Sequence, residues 1–204
     1  MAGSPDSRSP TLELLVVIGA VFVLQQLVAL VSQPLALGLF TLRAPILADP
    51  WALVISVYAH SGLDHLLANA IALAVVGFLL ERYTTRLRFH AFFLVTGIAA
   101  GVFQIGLASL FGVDVALLGA SGAVFALIGY LVTGNRLSGR LFDRFQLSGR
   151  VTLLLFVVLA GLVTFVTAAP GVALAAHFFG FLLGLVAGKL NLLRPPATGN
   201  ASLK

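Results

Sequence analysis

Apolar residues run along this chain in long blocks separated by short polar or proline-broken stretches. Six windows, about 11–31, 63–80, 89–111, 117–134, 151–169 and 171–190, are mainly apolar, and a helix that crosses a bilayer needs about 20 such residues. The pattern predicts six spanning helices. The last two fold back on each other at Ala169-Pro170-Gly171, a tight-turn sequence. The segment 32–62 breaks the pattern. Pro34, Pro45 and Pro50 interrupt it, and it carries Trp51 and Tyr58, residue types that favour the headgroup level. It reads as an interfacial loop with short helices and not as a seventh span. The expected organisation is a tail over 1–10, a six-helix membrane domain over 11–190 containing the loop 32–62, and a polar, proline-broken tail over 191–204 expected to be disordered.

Composition places the chain firmly in one class. Of its 204 residues 60% are hydrophobic and 9% charged, with a mean hydropathy of +1.09, against about 45–50% apolar and about 25% charged in soluble domains. The fold class is therefore an all-α polytopic membrane protein, long enough for one bundle and too short for two sizeable domains. There are no cysteines, which excludes disulfides, thiolate metal sites and a cysteine nucleophile. One basic residue and no clear small-residue cleavage site accompany the first apolar window, so it reads as a retained span and not a signal peptide.

The charges decide the orientation. Arg8 precedes the first window; Arg82, Arg86 and Arg88 lie between the second and third. Arg136, Arg140, Arg144 and Arg150 lie between the fourth and fifth, and Lys189, Arg194 and Lys204 follow the sixth. Only Arg43 falls on the other side of a six-span arrangement. Basic loops stay cytoplasmic, so both termini are expected there. The pI of about 10.5 then reflects topology and attraction to anionic lipid headgroups. No loop is large enough to form the folded basic surface of a nucleic-acid binder.

Polar side chains inside spans are costly and mark function. Windows two, four and six run in the same direction, so His60, His65 and Asn69, then Ser121, then His177 are expected at one layer, about 10 Å below the extracytoplasmic surface. His90 falls in a basic cytoplasmic loop and reads as a surface residue. Each of the others has a plain structural reading: a serine between glycines is a close-packing residue, and a lone histidine ties two helices together. Their coincidence at one depth on three helices argues for chemistry. Ala176, Gly180, Gly184 and Gly188 recur every four residues along window six, and Gly122, Ala126 and Gly129 share a face of window four. Such stripes let two backbones approach closely, which would bring Ser121 and His177 together.

Ser121 needs a base to become a nucleophile, and His177 is the only histidine on window six. No carboxylate lies within windows four, five or six, so a dyad is expected in place of a triad. Phe125, one turn after Ser121, can pack on the imidazole. Candidate oxyanion donors are His65 and Asn69 by their side chains and Ser121 by its backbone N–H at a helix start. His60 and Ser61 near the mouth could retain water. No cofactor and no metal is expected.

These residues resemble those of the rhomboid intramembrane serine proteases. The resemblance runs from about Trp51 to Leu190 and rests on H-x-x-x-x-H-x-x-x-N (His60, His65, Asn69), on Glu81-Arg82, on G-A-S-G (Gly119 to Gly122), and on A-H-x-x-G-x-x-x-G (Ala176, His177, Gly180, Gly184). It implies a rhomboid-like bundle of six transmembrane helices in a minimal prokaryotic form. Its site would be a cofactor-free Ser121–His177 dyad opening to the extracytoplasmic side of the cell membrane, cleaving transmembrane proteins near the outer ends of their helices. It also implies that His65 and Asn69 serve the oxyanion and His60 retains water. This chain departs from some relatives at Phe125, where they carry tyrosine, and at Trp51-Ala52, where a Trp-Arg pair is common. Two other functions compete: a catalytically silent rhomboid-like binder of membrane helices, and a small channel or transporter. No internal repeat supports the last.

Overall fold

The computed structural model describes residues 8–169 and 171–195, and the side chains of these except at 136, 137 and 141–143. The expected tails at 1–7 and 196–204, and Pro170 of the expected turn, lie outside the described residues.

Local signals set the helix starts. Helix α1 (Pro10–Val31) opens with Ser9, whose hydroxyl accepts from the Leu12 N–H, and with Pro10 at a position that needs no N–H. It stops at Ser32, which in turn caps α2 (Gln33–Phe40). Short α3 (Ala52–Tyr58) follows, then α4 (Leu63–Leu80) and α5 (Arg86–Leu110), capped by Thr85. Helices α6 (Ser121–Thr133), α7 (Arg136–Phe145), α8 (Gly149–Val166) and α9 (Leu174–Lys189) complete the order. The segment 32–62 does hold short helices in place of a seventh span. The described residues contain no named strand, only an isolated antiparallel bridge in which Leu42 and Leu117 exchange both backbone hydrogen bonds at 2.8 Å.

Four helices are long and apolar enough to cross a membrane, and α6 and α9 are apolar but shorter, with 13 and 16 residues. The windows 117–134 and 171–190 therefore overstate these helices. At 1.5 Å per residue α6 covers only about 20 Å of a hydrocarbon core of about 30 Å. The reason lies ahead of it: residues 113–120 run non-helically into the bundle, and Ala120 is fully buried. Apolar residues alone do not distinguish such an ingoing segment from a helical turn. Helix α7 forms where the charged stretch between windows four and five predicts a loop. Its arginines at 136, 140 and 144 and its apolar residues at 137, 141 and 145 each recur every four residues, the spacing of an amphipathic helix.

Side-chain bonds collect one set of helix ends. Ser9 Oγ donates to Glu81 at 2.6 Å, joining α1 to the end of α4. Arg88 at the start of α5 donates to the carbonyls of Leu192 and Arg194, Arg194 to that of Gly134, and Lys189 to Thr152 on α8. The arginines 8, 82, 86, 88, 150 and 194 thus share one end, whereas Arg43 pairs with Asp49 at the other, beside the ingoing segment. At the centre α6 and α9 run parallel and form the most extensively packed pair.

Candidate active site

The central pair is close because it has almost no side chains between its backbones. A Cβ on Gly180 would collide with the carbonyl oxygen of Gly122, and one on Gly184 with that of Ala126. Gly129 in turn lies against the carbonyl oxygen of Phe181. Further along, Thr133 Oγ1 donates to the Leu185 carbonyl at 2.7 Å, and a Cβ on Gly188 would meet that hydroxyl. Glycine at each contact lets helices lock without a hydrophobic drive, which lipid does not supply.

This lock places the first residue of α6, Ser121, next to the first turn of α9, which carries His177. His177 is buried at 8% exposure, and its ring stacks on Phe125 of α6 with centroids 4.1 Å apart and planes 20° from parallel. Phe125 is one turn after Ser121, so the imidazole hangs over the face that bears the hydroxyl. The Nδ1 of His177 is buried without a partner among the described residues. The neighbours of both residues touch, since Gly122 faces the Ala176 carbonyl, but the hydroxyl of Ser121 and the imidazole do not hydrogen-bond in this conformation. The backbone of α9 is steadied by α5: Gln104 Oε1 accepts the Ala176 N–H at 3.2 Å.

The histidines of the second span approach from the other side. Gly119 has φ +132°, and a Cβ there would come within 2.7 Å of the His65 ring at Cε1 and 3.0 Å at Nε2. His65 therefore lies with its Nε2 edge against the residue two before Ser121, while its Nδ1 is 3.0 Å from Ser61 Oγ. Two tethers hold the ingoing segment there: the Leu42–Leu117 bridge and a 2.8 Å bond from the Gly119 N–H to the Ser56 carbonyl. Ser121, Gly119, Ser56, Gly97 and Ala176 are among the residues lining a small cavity with about 10 Å³ open to the centre of a water molecule, close to the space one water needs.

Asn69 is buried, and its Nδ2 donates to the carbonyl of His65 one turn earlier at 2.9 Å, so one of its two N–H groups is committed to its own helix. His60 is fully buried. Its backbone N–H donates to Gln25 Oε1 at 3.1 Å, its Nδ1 lies 3.2 Å from the Tyr58 carbonyl, and its ring meets His65 edge-on at 5.0 Å. It joins the loop to α1 beneath the surface. Glu13 bonds Arg86 and His90, so His90 is a partner in a buttress between α1 and α5 as well as a residue of the basic end. Sequence reasoning missed Gln25, Ser56 and Gln104. The two glutamines carried a visible signal, since an amide within an apolar span needs a partner.

Alanine at 119 would strain the backbone and strike His65 at once. Gly119→Ala is expected to destabilise the fold by about 1–3 kcal/mol and to displace His65, read as a lower midpoint in denaturant titration of the purified protein. An unchanged midpoint would refute the contact.

A bundle of membrane-spanning helices with a serine and a histidine on its two central helices defines a class of protein. The rhomboid domain model matches residues 48–194. The chain is 33% identical over 147 residues to RHOMBOID-like protein 5 of Arabidopsis thaliana, covering 72% of this chain and 46% of that protein. It is 30% identical over 145 residues to RHOMBOID-like protein 7 of the same plant, covering 71% and 44%. It is 29% identical over 136 residues to YdcA of Bacillus subtilis (strain 168), named as a candidate rhomboid protease, covering 67% and 64%. The chain spans less than half the length of the two plant relatives. It belongs to the rhomboid family and is a multi-pass membrane protein.

Proposed function

We propose that this chain is an intramembrane serine endopeptidase that hydrolyses transmembrane helices near their extracytoplasmic ends. The observation that carries the reading is the stacking of the His177 imidazole on Phe125, the residue one helical turn after Ser121. Ser121 Oγ attacks the scissile carbonyl carbon while His177 Nε2 takes its proton. The tetrahedral intermediate collapses to an ester on Ser121, and the leaving amine receives that proton. Water, activated by the same nitrogen, then hydrolyses the ester and restores the hydroxyl. The Ser121 N–H, in the first turn of α6, has no acceptor within the helix and is aimed at the oxyanion. If Ser61 donates to His65 Nδ1, the His65 Nε2 carries a proton and supplies a second donor; the free N–H of Asn69 is a third candidate.

The protein would sit in the cell membrane with its arginine-rich end and both termini cytoplasmic. Its substrates would be transmembrane proteins whose helices unwind readily, because a regular helix hides its carbonyls in its own hydrogen bonds. Glycine near the cleaved bond favours unwinding. No cofactor or metal enters the scheme.

The missing hydrogen bond between Ser121 and His177 gives a silent, helix-binding rhomboid some footing, although catalytic hydrogen bonds often tighten only with substrate present. Fluorophosphonate labelling separates the two. An activated Ser121 becomes modified in the wild-type protein and not in His177→Ala; a wild-type chain that stays unlabelled would support the silent reading.

A further inference from the structure

We propose that the groove between the first turns of α1 and α5 binds one anionic phospholipid of the leaflet at the arginine-rich end. Helix α1 packs chiefly on α4 and α2 and only lightly on α5. The opening between them is about 1050 Å³, at the upper limit of the roughly 300–1,000 Å³ of small-molecule sites. A buttress crosses it, with Glu13 Oε2 2.7 Å from Arg86 Nε and 2.8 Å from His90 Nε2.

The lining is layered. Arg8 and Arg86 line the rim with one carboxylate, Glu13, beside His90 and Ser9, whose hydroxyl donates to Glu81 behind it, so the lining holds one more cation than carboxylates. Among the described residues Arg86 commits only Nε to Glu13, which leaves its terminal N–H groups for an anion, and its side chain is 46% exposed. Arg8 stands exposed across from it. Beyond the rim the α1 wall is apolar, with Leu12, Val16 and Val17, and Leu87 of α5 stands beside Arg86. Leu12 and Val16 are one turn apart, on one face, and 53% and 70% exposed.

Cationic at the interface and apolar toward the membrane interior is the order of a phospholipid's own parts, a phosphate above an acyl chain. From Pro10 to Val17 helix α1 rises roughly 10 Å, enough to follow the start of a chain. A free phosphate would use the rim and leave the walls bare. A second copy of this chain would bring the same cationic rim against itself. A zwitterionic lipid would gain little from the surplus charge.

The test uses the full chain in detergent with native mass spectrometry, titrating phosphatidylglycerol, phosphatidylcholine or inorganic phosphate. One phosphatidylglycerol should be retained in preference to phosphatidylcholine. An arginine near the headgroups contributes about fivefold, so Arg8→Gln should weaken retention about fivefold, and Arg8→Gln with Arg86→Gln about 25-fold. Arg8→Gln leaves the Glu13 buttress intact and guards against a folding defect. Val16→Trp fills the walls while preserving the rim and should also reduce retention. Equal retention of the two lipids, or retention unchanged in Arg8→Gln and Val16→Trp alike, would overturn the proposal. So would displacement of the lipid by inorganic phosphate, or cross-linking between copies through a cysteine placed at Val16. Because neither Ser121 nor His177 takes part, Ser121→Ala should bind the lipid as the wild type does.

Discussion

Ser121→Ala is expected to remove cleavage of a labelled transmembrane substrate in proteoliposomes, by about 10⁴-fold or more if the serine and histidine act as one unit. The same variant should unfold at the wild-type denaturant midpoint. Ser121 is half-buried beside a water-sized cavity and its hydroxyl makes no hydrogen bond among the described residues, so the hydroxyl contributes little to stability. His177→Ala should lose a similar amount of activity, and the double variant little more, because without the base the hydroxyl is a weak nucleophile. The structural side differs. Removing the imidazole uncovers the face of Phe125 and leaves a cavity in the central pair, so His177→Ala should also lower the midpoint. Cleavage by Ser121→Ala at the wild-type rate would end the protease reading. Additive losses would show that the two side chains do not cooperate.

Much of this site was legible because its parts repeat at helical spacing. Gly180 and Gly184 declared a close interface by recurring every four residues, and the glycines meet backbone carbonyls of α6. Phe125 stood one turn from Ser121 on the same face, and the ring contact with His177 follows from that spacing. What the chain did not disclose depends on pairings far apart in sequence. The ingoing segment before Ser121 is as apolar as a helix, and only its bonds to Leu42 and Ser56 show that it is extended. Likewise His60 looked like a loop residue near water, yet a single glutamine on α1 accepts its backbone N–H and helps hold it under cover. Hydropathy records how apolar a residue is, and it carries no record of which amide across the bundle will meet it. The small helix α7 hides for another reason: its charge marks a cytoplasmic loop, and its helical signal lies only in the four-residue spacing of its arginines.

The same glycine lock yields a second large effect, and one that distinguishes packing from helix propensity. Gly180→Ala and Gly184→Ala each add one methyl group and should favour the helix intrinsically by about 1 kcal/mol. In α9 the new Cβ instead meets the carbonyl oxygens of Gly122 and Ala126. Those oxygens belong to a helical backbone and cannot turn aside as a flexible side chain would. Overpacking in rigid surroundings costs about 1–3 kcal/mol and sometimes more, so each variant should be destabilised despite the propensity gain. Gly161 on α8 is the internal control. Nothing lies within 4 Å of a Cβ built there, so Gly161→Ala should be neutral or stabilising by about 0.4–1 kcal/mol. Activity should follow the same division. Spreading α6 from α9 moves His177 away from Ser121, and a misplacement of about 1 Å costs on the order of 10²-fold in rate. Gly180→Ala, nearest the site, should therefore lose more activity than Gly184→Ala at comparable loss of stability, while Gly161→Ala retains its rate. Equal midpoints for all three variants would mean that the central helices can separate freely, and the position of His177 would then need another support.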